Sequence, residues 1–238
     1  MRKFLGATDS AAPCAILLDV AEALNPLLDQ RQERLEQGLE DDEDVAETTL
    51  QLVFFDGEEA FQDWTDTDSI YGARFVMTAD KTDNSYLLCF RHLAEKWATT
   101  YITPHPKRKL MFSATQMSTI EHLVLLDLLG NSGPRIRSYF LSTAWLFDSL
   151  ASAERRLGQS GAFDNAGAWD SQDSFFIPRT GKENNLGYIA DDHLPFLQKG
   201  VSILHIIATP FPTVWHTLKV TCLSCRVWGE KLIICIVG

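Results

Sequence analysis

Three short and strongly apolar runs, residues 50–55, 122–126 and 202–207, punctuate the chain. Between them, apolar residues recur at helical spacing. After Asp9, the positions Ile16, Leu17, Val20, Ala23 and Leu24 keep that period until Asn25-Pro26, and residues 139–157 keep it until Gly158 and Gly161. Apolar strands alternating with helices predict an α/β domain whose sheet is covered on both faces and whose functional residues sit on loops at the strand ends. No internal repeat is visible.

The first strand ends in Asp56-Gly57-Glu58-Glu59. Adjacent carboxylates at the end of a buried strand repel each other and cost desolvation, so a cation is expected beside them. Zinc in an open catalytic site needs three protein ligands, and Asp9 and His216 are available to complete the set. The same two glutamates also suit the first turn of a solvated loop.

A chain of 238 residues that is 45% hydrophobic, with a mean hydropathy of -0.07, suits one soluble domain with a sizeable core. Its 21 Lys and Arg against 32 Asp and Glu leave a net charge of -11, which argues against tracking phosphates, so no nucleic-acid partner is expected. Part of the excess is the run Glu36, Glu40, Asp41, Asp42, Glu43, Asp44 and Glu47, expected to be a solvated loop. Met1-Arg2-Lys3-Phe4-Leu5-Gly6 has no signal-peptide pattern, and no apolar run is expected to reach bilayer-spanning length. The expectation is a cytoplasmic chain without membrane insertion.

Five blocks, in order, carry a more specific message: Asp9-Ser10-Ala11-Ala12-Pro13-Cys14-Ala15, Phe54-Phe55-Asp56-Gly57-Glu58-Glu59-Ala60-Phe61, His122-Leu123-Val124-Leu125-Leu126-Asp127-Leu128, Asp191-Asp192-His193-Leu194-Pro195-Phe196-Leu197 and Pro210-Phe211-Pro212-Thr213-Val214-Trp215-His216-Thr217. Together they resemble the glutaminyl-peptide cyclotransferases, or glutaminyl cyclases, and the linking segments resemble fungal members. The resemblance implies a three-layer zinc-exopeptidase-like fold with a central mixed, mostly parallel sheet. It also implies a monomer that converts the N-terminal glutamine (or glutamate) of peptides to pyroglutamate. One zinc ion held at Asp9, Glu59 and His216 would polarise the γ-carbonyl. Glu58 would move the proton from the attacking α-amine to the departing ammonia, with Asp127 and Asp191 in a supporting hydrogen-bond network. Trp64, Phe211 and Trp215 match the residues lining the family's cleft. The family is largely secretory, which points to a missing leader.

Three segments depart from that pattern. Tyr71-Gly72-Ala73-Arg74 is expected to run into His92-Leu93-Ala94-Glu95-Lys96-Trp97 as one helix, yet the 17 residues 75–91 intervene. They read as an insertion or a retained intron, since 74–76 and 88–91 can be encoded with a GT donor and an AG acceptor. The catalytic domain is therefore taken as 1–219, with 220–238 a tail foreign to the family whose lone Cys222/Cys225 pair is accidental. The family's strands ahead of the Asp9 block, one of them beside the Glu58 strand, are expected to be missing, leaving the sheet without an internal strand and the enzyme weakly active. Cys14, which matches a residue paired upstream in secretory members, is left as an orphan or a small buried apolar residue.

Trp97, Trp145, Phe54 and Phe55 are expected in the core. His122, His193 and His205 are expected as satisfied structural histidines, and His92 and His105 as exposed. Two alternative functions remain: a zinc aminopeptidase on the same scaffold, using the position of Asp127 for a second ion, or an inactive fragment.

Overall fold

A computed structural model describes residues 6–39, 49–74, 93–102, 114–163, 174–181, 189–217 and 231–237. The acidic residues 40–47, the segment 75–91, His92, His105 and the Cys222/Cys225 pair lie outside the described residues.

Four strands form one sheet: β1 (Thr49–Phe55), β2 (Ile120–Asp127), β3 (Ser202–Ile207) and β4 (Lys231–Val237), in the spatial order β1-β4-β2-β3. β2 and β3 are parallel, with Asp127 opposite Ile207. β4 is antiparallel to both of its neighbours, so β1, β2 and β3 all point the same way. Their C-terminal ends therefore share one edge of the domain, the side on which parallel sheets place their chemistry.

Alternation on each strand builds two cores. Leu123 and Leu125 of β2 and Ile203 of β3 pack with Phe55, Trp97 and Phe196, beneath the helices α2 (Leu93–Thr99) and α4 (Leu194–Leu197). Leu126 and Leu204 face the other way, packing with Cys14, Leu17 and Phe147 from α1 (Ala12–Glu36) and α3 (Ala144–Gln159). Helices on both faces of a central sheet are the expected three layers. Cys14 is buried in this second core, as its apolar reading requires.

Several expectations need correction. α1 does not stop at Asn25-Pro26 but runs through Pro26 to Glu36. A proline inside a helix removes one N–H and costs about 3 kcal/mol, but most of this helix is exposed, so water can take the freed carbonyl, and strong helix formers follow. Side-chain bonds from Asn25 to Asp29 and from Gln32 to Glu36, four residues apart, support the far side. As a result one helical stretch, Ala7–Glu36, is long and apolar enough to cross a membrane by length and composition, with a mean hydropathy of 1.4 over its best window. The expectation that no apolar run reaches bilayer-spanning length therefore does not hold, and a cytoplasmic placement is not supported.

α3 begins five residues later than the period suggested, because Phe140 is extended and Thr143 donates its hydroxyl to the carbonyl of Ile203 on β3. Trp145 is 57% exposed and Phe54 is 42% exposed, so neither is core. β1 is an edge strand whose pleat turns Phe55 inward and Phe54 outward, and Trp145, in the first turn of α3, meets His122 of β2 in a T-shaped ring contact while leaving most of its surface to solvent. Trp97 and Phe55 are buried as expected.

The position beside β1, expected to stand open, is occupied by β4. It pairs with all seven residues of β1 and reaches β2 from Ile120 to Leu126. Ile234 sits opposite both Leu52 and Val124, at the middle of the sheet. Ile234→Pro is expected to destabilise the chain by at least about 2 kcal/mol, since it removes a ladder donor in a strand paired on both sides and leaves a ladder acceptor unpaired. A urea midpoint equal to that of the unmodified chain would show that β4 does not hold the sheet together.

Candidate metal centre and cleft

Gly57, in the left-handed region at φ 70°, turns the chain sharply at the end of β1. Beyond the turn Glu58 is buried while its neighbour Glu59 is exposed. Two backbone bonds fix the turn, Tyr71 N–H to Gly57 O and Ile70 N–H to Glu58 O, each 2.7 Å. Gly72 packs so closely that a Cβ there would lie 2.4 Å from the carbonyl oxygen of Asp56. The two glutamates thus face different surroundings from the outset.

Asp9 arrives from the turn Ala7–Ala11 ahead of α1, and His216 from the loop after β3. His216 Nε2 lies 2.7 Å from Glu59 Oε1 and 3.9 Å from Asp9 Oδ2. One ligand atom from each of the three residues falls within 4.8 Å of the others. Tetrahedral zinc with bonds of about 2.0–2.1 Å would set its ligands roughly 3.3 Å apart, a spacing that these two distances bracket. Two carboxylate oxygens and one imidazole nitrogen also suit zinc chemically. The sequence-expected triad is therefore brought together, and its residues fit the ion.

Asp9 is held on both oxygens. Trp215 donates its indole N–H to Oδ2 at 2.9 Å, and Ser10 donates its hydroxyl toward Oδ1 at 3.3 Å. Ser10 Oγ also lies 3.0 Å from Asp127 Oδ1, which in turn accepts the N–H of Leu128 at 2.7 Å. These bonds couple the Asp9 turn to the end of β2 and to the His216 loop. Outer-sphere bonds of this kind orient a ligand and set its basicity. Trp215 stacks on His216 with ring centroids 4.0 Å apart and meets Phe211 edge-on at 5.0 Å. His216 itself is left-handed at φ 54°, a strained conformation of the sort found at functional sites.

A cavity of about 480 Å³ opens over this group, bordered by Asp9, Glu58, Glu59, Asp127 and His216 on its polar side and by Trp64, Phe211 and Trp215 among its apolar walls. All three cleft aromatics expected from the sequence are there. Asp191 does not border the cavity; it is buried, 3.0 Å from His205 Nε2, and takes the N–H of Asp192 at 2.8 Å. His205 is thus bonded through Nε2 alone, its Nδ1 being buried without a hydrogen-bond partner among the described residues, so the expected full satisfaction is not met; its ring lies 4.7 Å from that of His193. Ser10 was not singled out by sequence reasoning. Its position next to Asp9 is the only signal, and nothing there reveals a partner 117 residues away.

The description of peptidase family M28 matches residues 2–222. Over 217 residues the chain is 39% identical to a glutaminyl-peptide cyclotransferase of Bothrops jararaca, covering 91% of this chain and 49% of that protein. Over 214 residues it is 40% identical to a glutaminyl-peptide cyclotransferase-like protein of Bos taurus, covering 90% of this chain and 45% of the other. The crystal structure of a Macrostomum lignano glutaminyl cyclase is similar with a TM-score of 0.61 at 37% identity, over 91% of this chain and 55% of that one. The chain spans about half the length of these relatives.

Trp215→Phe keeps the aromatic wall and removes the N–H that holds Asp9. Zinc affinity, measured by calorimetry, is expected to fall about 10- to 100-fold, the usual effect of losing an outer-sphere partner. An unchanged dissociation constant would mean that the indole does not orient the ligand.

Proposed function

The chain belongs to peptidase family M28, and on that premise we propose that its cleft cyclises the N-terminal glutamine of peptides to pyroglutamate with release of ammonia. The observation that carries this reading is a buried acid, Glu58, beside a triad of metal-binding type, with Asp9 buried and Glu59 and His216 exposed, in a cavity walled by aromatics. The similarity to glutaminyl cyclases at 37–40% identity along nine-tenths of the chain supports it.

Asp9, Glu59 and His216 are the residues that would hold one zinc ion. When bound, zinc supplies Lewis-acid polarisation of the substrate's γ-carbonyl. Trp64, Phe211 and Trp215 would enclose the short side chain and exclude water. The α-amine and the γ-carbonyl belong to the same residue, so the attack is intramolecular and the protein mainly has to orient it. Glu58 takes a proton from the attacking amine as the new C–N bond forms, then returns it to the nitrogen whose C–N bond breaks. Ammonia leaves. Asp127, on the cavity wall, and Asp191, buried against His205, would steady that exchange.

An aminopeptidase reading remains because M28 is a peptidase family by name. The products separate the two: ammonia from a Gln-initiated dipeptide for the cyclase, a free amino acid for the peptidase, neither for an inactive chain.

The catalytic unit in this proposal is residues 1–219, with 75–91 as an insertion into one helical stretch. Leu93 N–H bonds the carbonyl of Gly72 at 3.4 Å. With the 17 residues 75–91 taken out, those two positions would stand four apart, the spacing of an α-helical bond.

Two outcomes test the chemistry. His216→Ala is expected to lose stoichiometric zinc, measured by metal analysis of the folded chain, and full retention would remove it from the ligand set. Glu58→Gln, nearly isosteric, is expected to keep zinc and lose roughly 100-fold or more in turnover. Unimpaired ammonia release from that variant would exclude Glu58 as the proton carrier.

A further inference from the structure

Between Glu59 and the cavity wall at Trp64 the chain forms a loop organised by one carboxylate. Asp68 Oδ1 accepts the N–H of Phe61 at 2.7 Å, and Oδ2 accepts those of Gln62 at 2.8 Å and Asp63 at 3.1 Å. The Tyr71 hydroxyl donates to Oδ1, and its ring rests 5.3 Å from that of Phe61. The backbone of Asp68 also pairs with Thr65 in both directions, at 3.3 and 3.4 Å. Trp64 is thereby flanked by two residues, Asp63 and Thr65, that are each bonded to Asp68.

Trp64 is 44% exposed, so packing alone does not fix its ring. Its place is set by the backbone that carries it. The ring borders the catalytic cavity and a second one of about 390 Å³, whose walls include Asp66, Ser69, Arg74, Leu194 and Lys199. A peptide whose terminal glutamine sits in the first cavity and whose next residues enter the second would pass this indole.

We propose that Asp68 is a positioning residue, whose carboxylate closes the loop 61–67 and so sets Trp64 as the wall between the glutamine cleft and the adjoining cavity. This inference rests on the cyclase reading. It differs from the roles of Glu58 and the triad because Asp68 touches no reacting atom. It acts on how tightly the peptide is held. The donors that converge on it favour the ionised form: the Tyr71 hydroxyl first and the Phe61 N–H next hold the carboxyl at about 2, below its ordinary 3.8. A lowered value means that the clamp is fully formed above 3.8 and opens only as pH falls toward about 2.

The test compares the full chain with Asp68→Ala and Asp68→Asn, reading kcat, KM and calorimetric affinity for a Gln-initiated dipeptide, zinc content and amide exchange across 61–65. Asp68→Ala is expected to raise KM and the dipeptide dissociation constant roughly tenfold, with kcat and zinc within about twofold of the unmodified chain, as displacement of a binding wall predicts. The Phe61, Gln62 and Asp63 amides lose protection, and Asp68→Asn, which keeps one acceptor oxygen, falls between. Unchanged affinity alongside deprotected amides would overturn the proposal, and so would a loss confined to kcat and zinc. Dipeptide binding without cyclisation in the unmodified chain would sink the cyclase reading instead, while the affinity comparison still decides the role of Asp68.

Discussion

The hydrogen bonds that converge on Asp9 are the constraint on which the site depends. Its two oxygens take the Trp215 indole and the Ser10 hydroxyl, and Ser10 reaches on to Asp127 at the end of β2. Three segments far apart in the chain are joined through one buried carboxylate. An acid in that setting is costly to desolvate, and the neutral donors around it lower the cost without cancelling its charge. The charge stays available for a cation.

The sheet delivers what those bonds fasten. Because β1, β2 and β3 point the same way, the Glu58-Glu59 pair, Asp127 and the loop carrying His216 emerge on one edge. β4 is the exception in direction, yet it lies between β1 and β2 and so fixes the spacing of the two strands that carry the acids. It comes from beyond residue 222, where the family match ends. The site is therefore assembled by elements within the matched residues and spaced in part by a strand beyond them. The M28 zinc-exopeptidase-like fold accommodates this because an antiparallel neighbour satisfies strand N–H and C=O groups as well as a parallel one does.

Charge is divided across the cleft in a way that suits separate tasks. Glu58 is buried and Glu59 exposed although they are adjacent, because the left-handed turn at Gly57 sends them to different surroundings. Asp127 borders the cavity; Asp191 is buried outside its lining, against His205. Asp68, further along the same loop, is engaged with backbone N–H groups and leaves the metal-binding set to the other acids.

The sequence by itself determined the three strands that carry the chemistry, since runs as apolar as 50–55, 122–126 and 202–207 have few alternatives to a buried sheet. It also determined the candidate ligands, because five ordered blocks are far more specific than any single one. Where single-residue propensity meets its surroundings, the sequence was less informative. Pro26 reads as a helix stop, but on an exposed helix the lost bond is tolerable and α1 continues. Trp145 and Phe54 read as core, but burial depends on how much of a side chain its neighbours cover, and both stay largely exposed. Only the tertiary structure decided that Ser10 links Asp9 to Asp127, that Asp68 ties both neighbours of Trp64, and that residues 231–237 enter the middle of the sheet. Each is a pairing between positions whose separation along the chain carries no signal. Local pattern specifies which residues can form a strand or donate a bond; which partner they meet is settled when the whole chain packs.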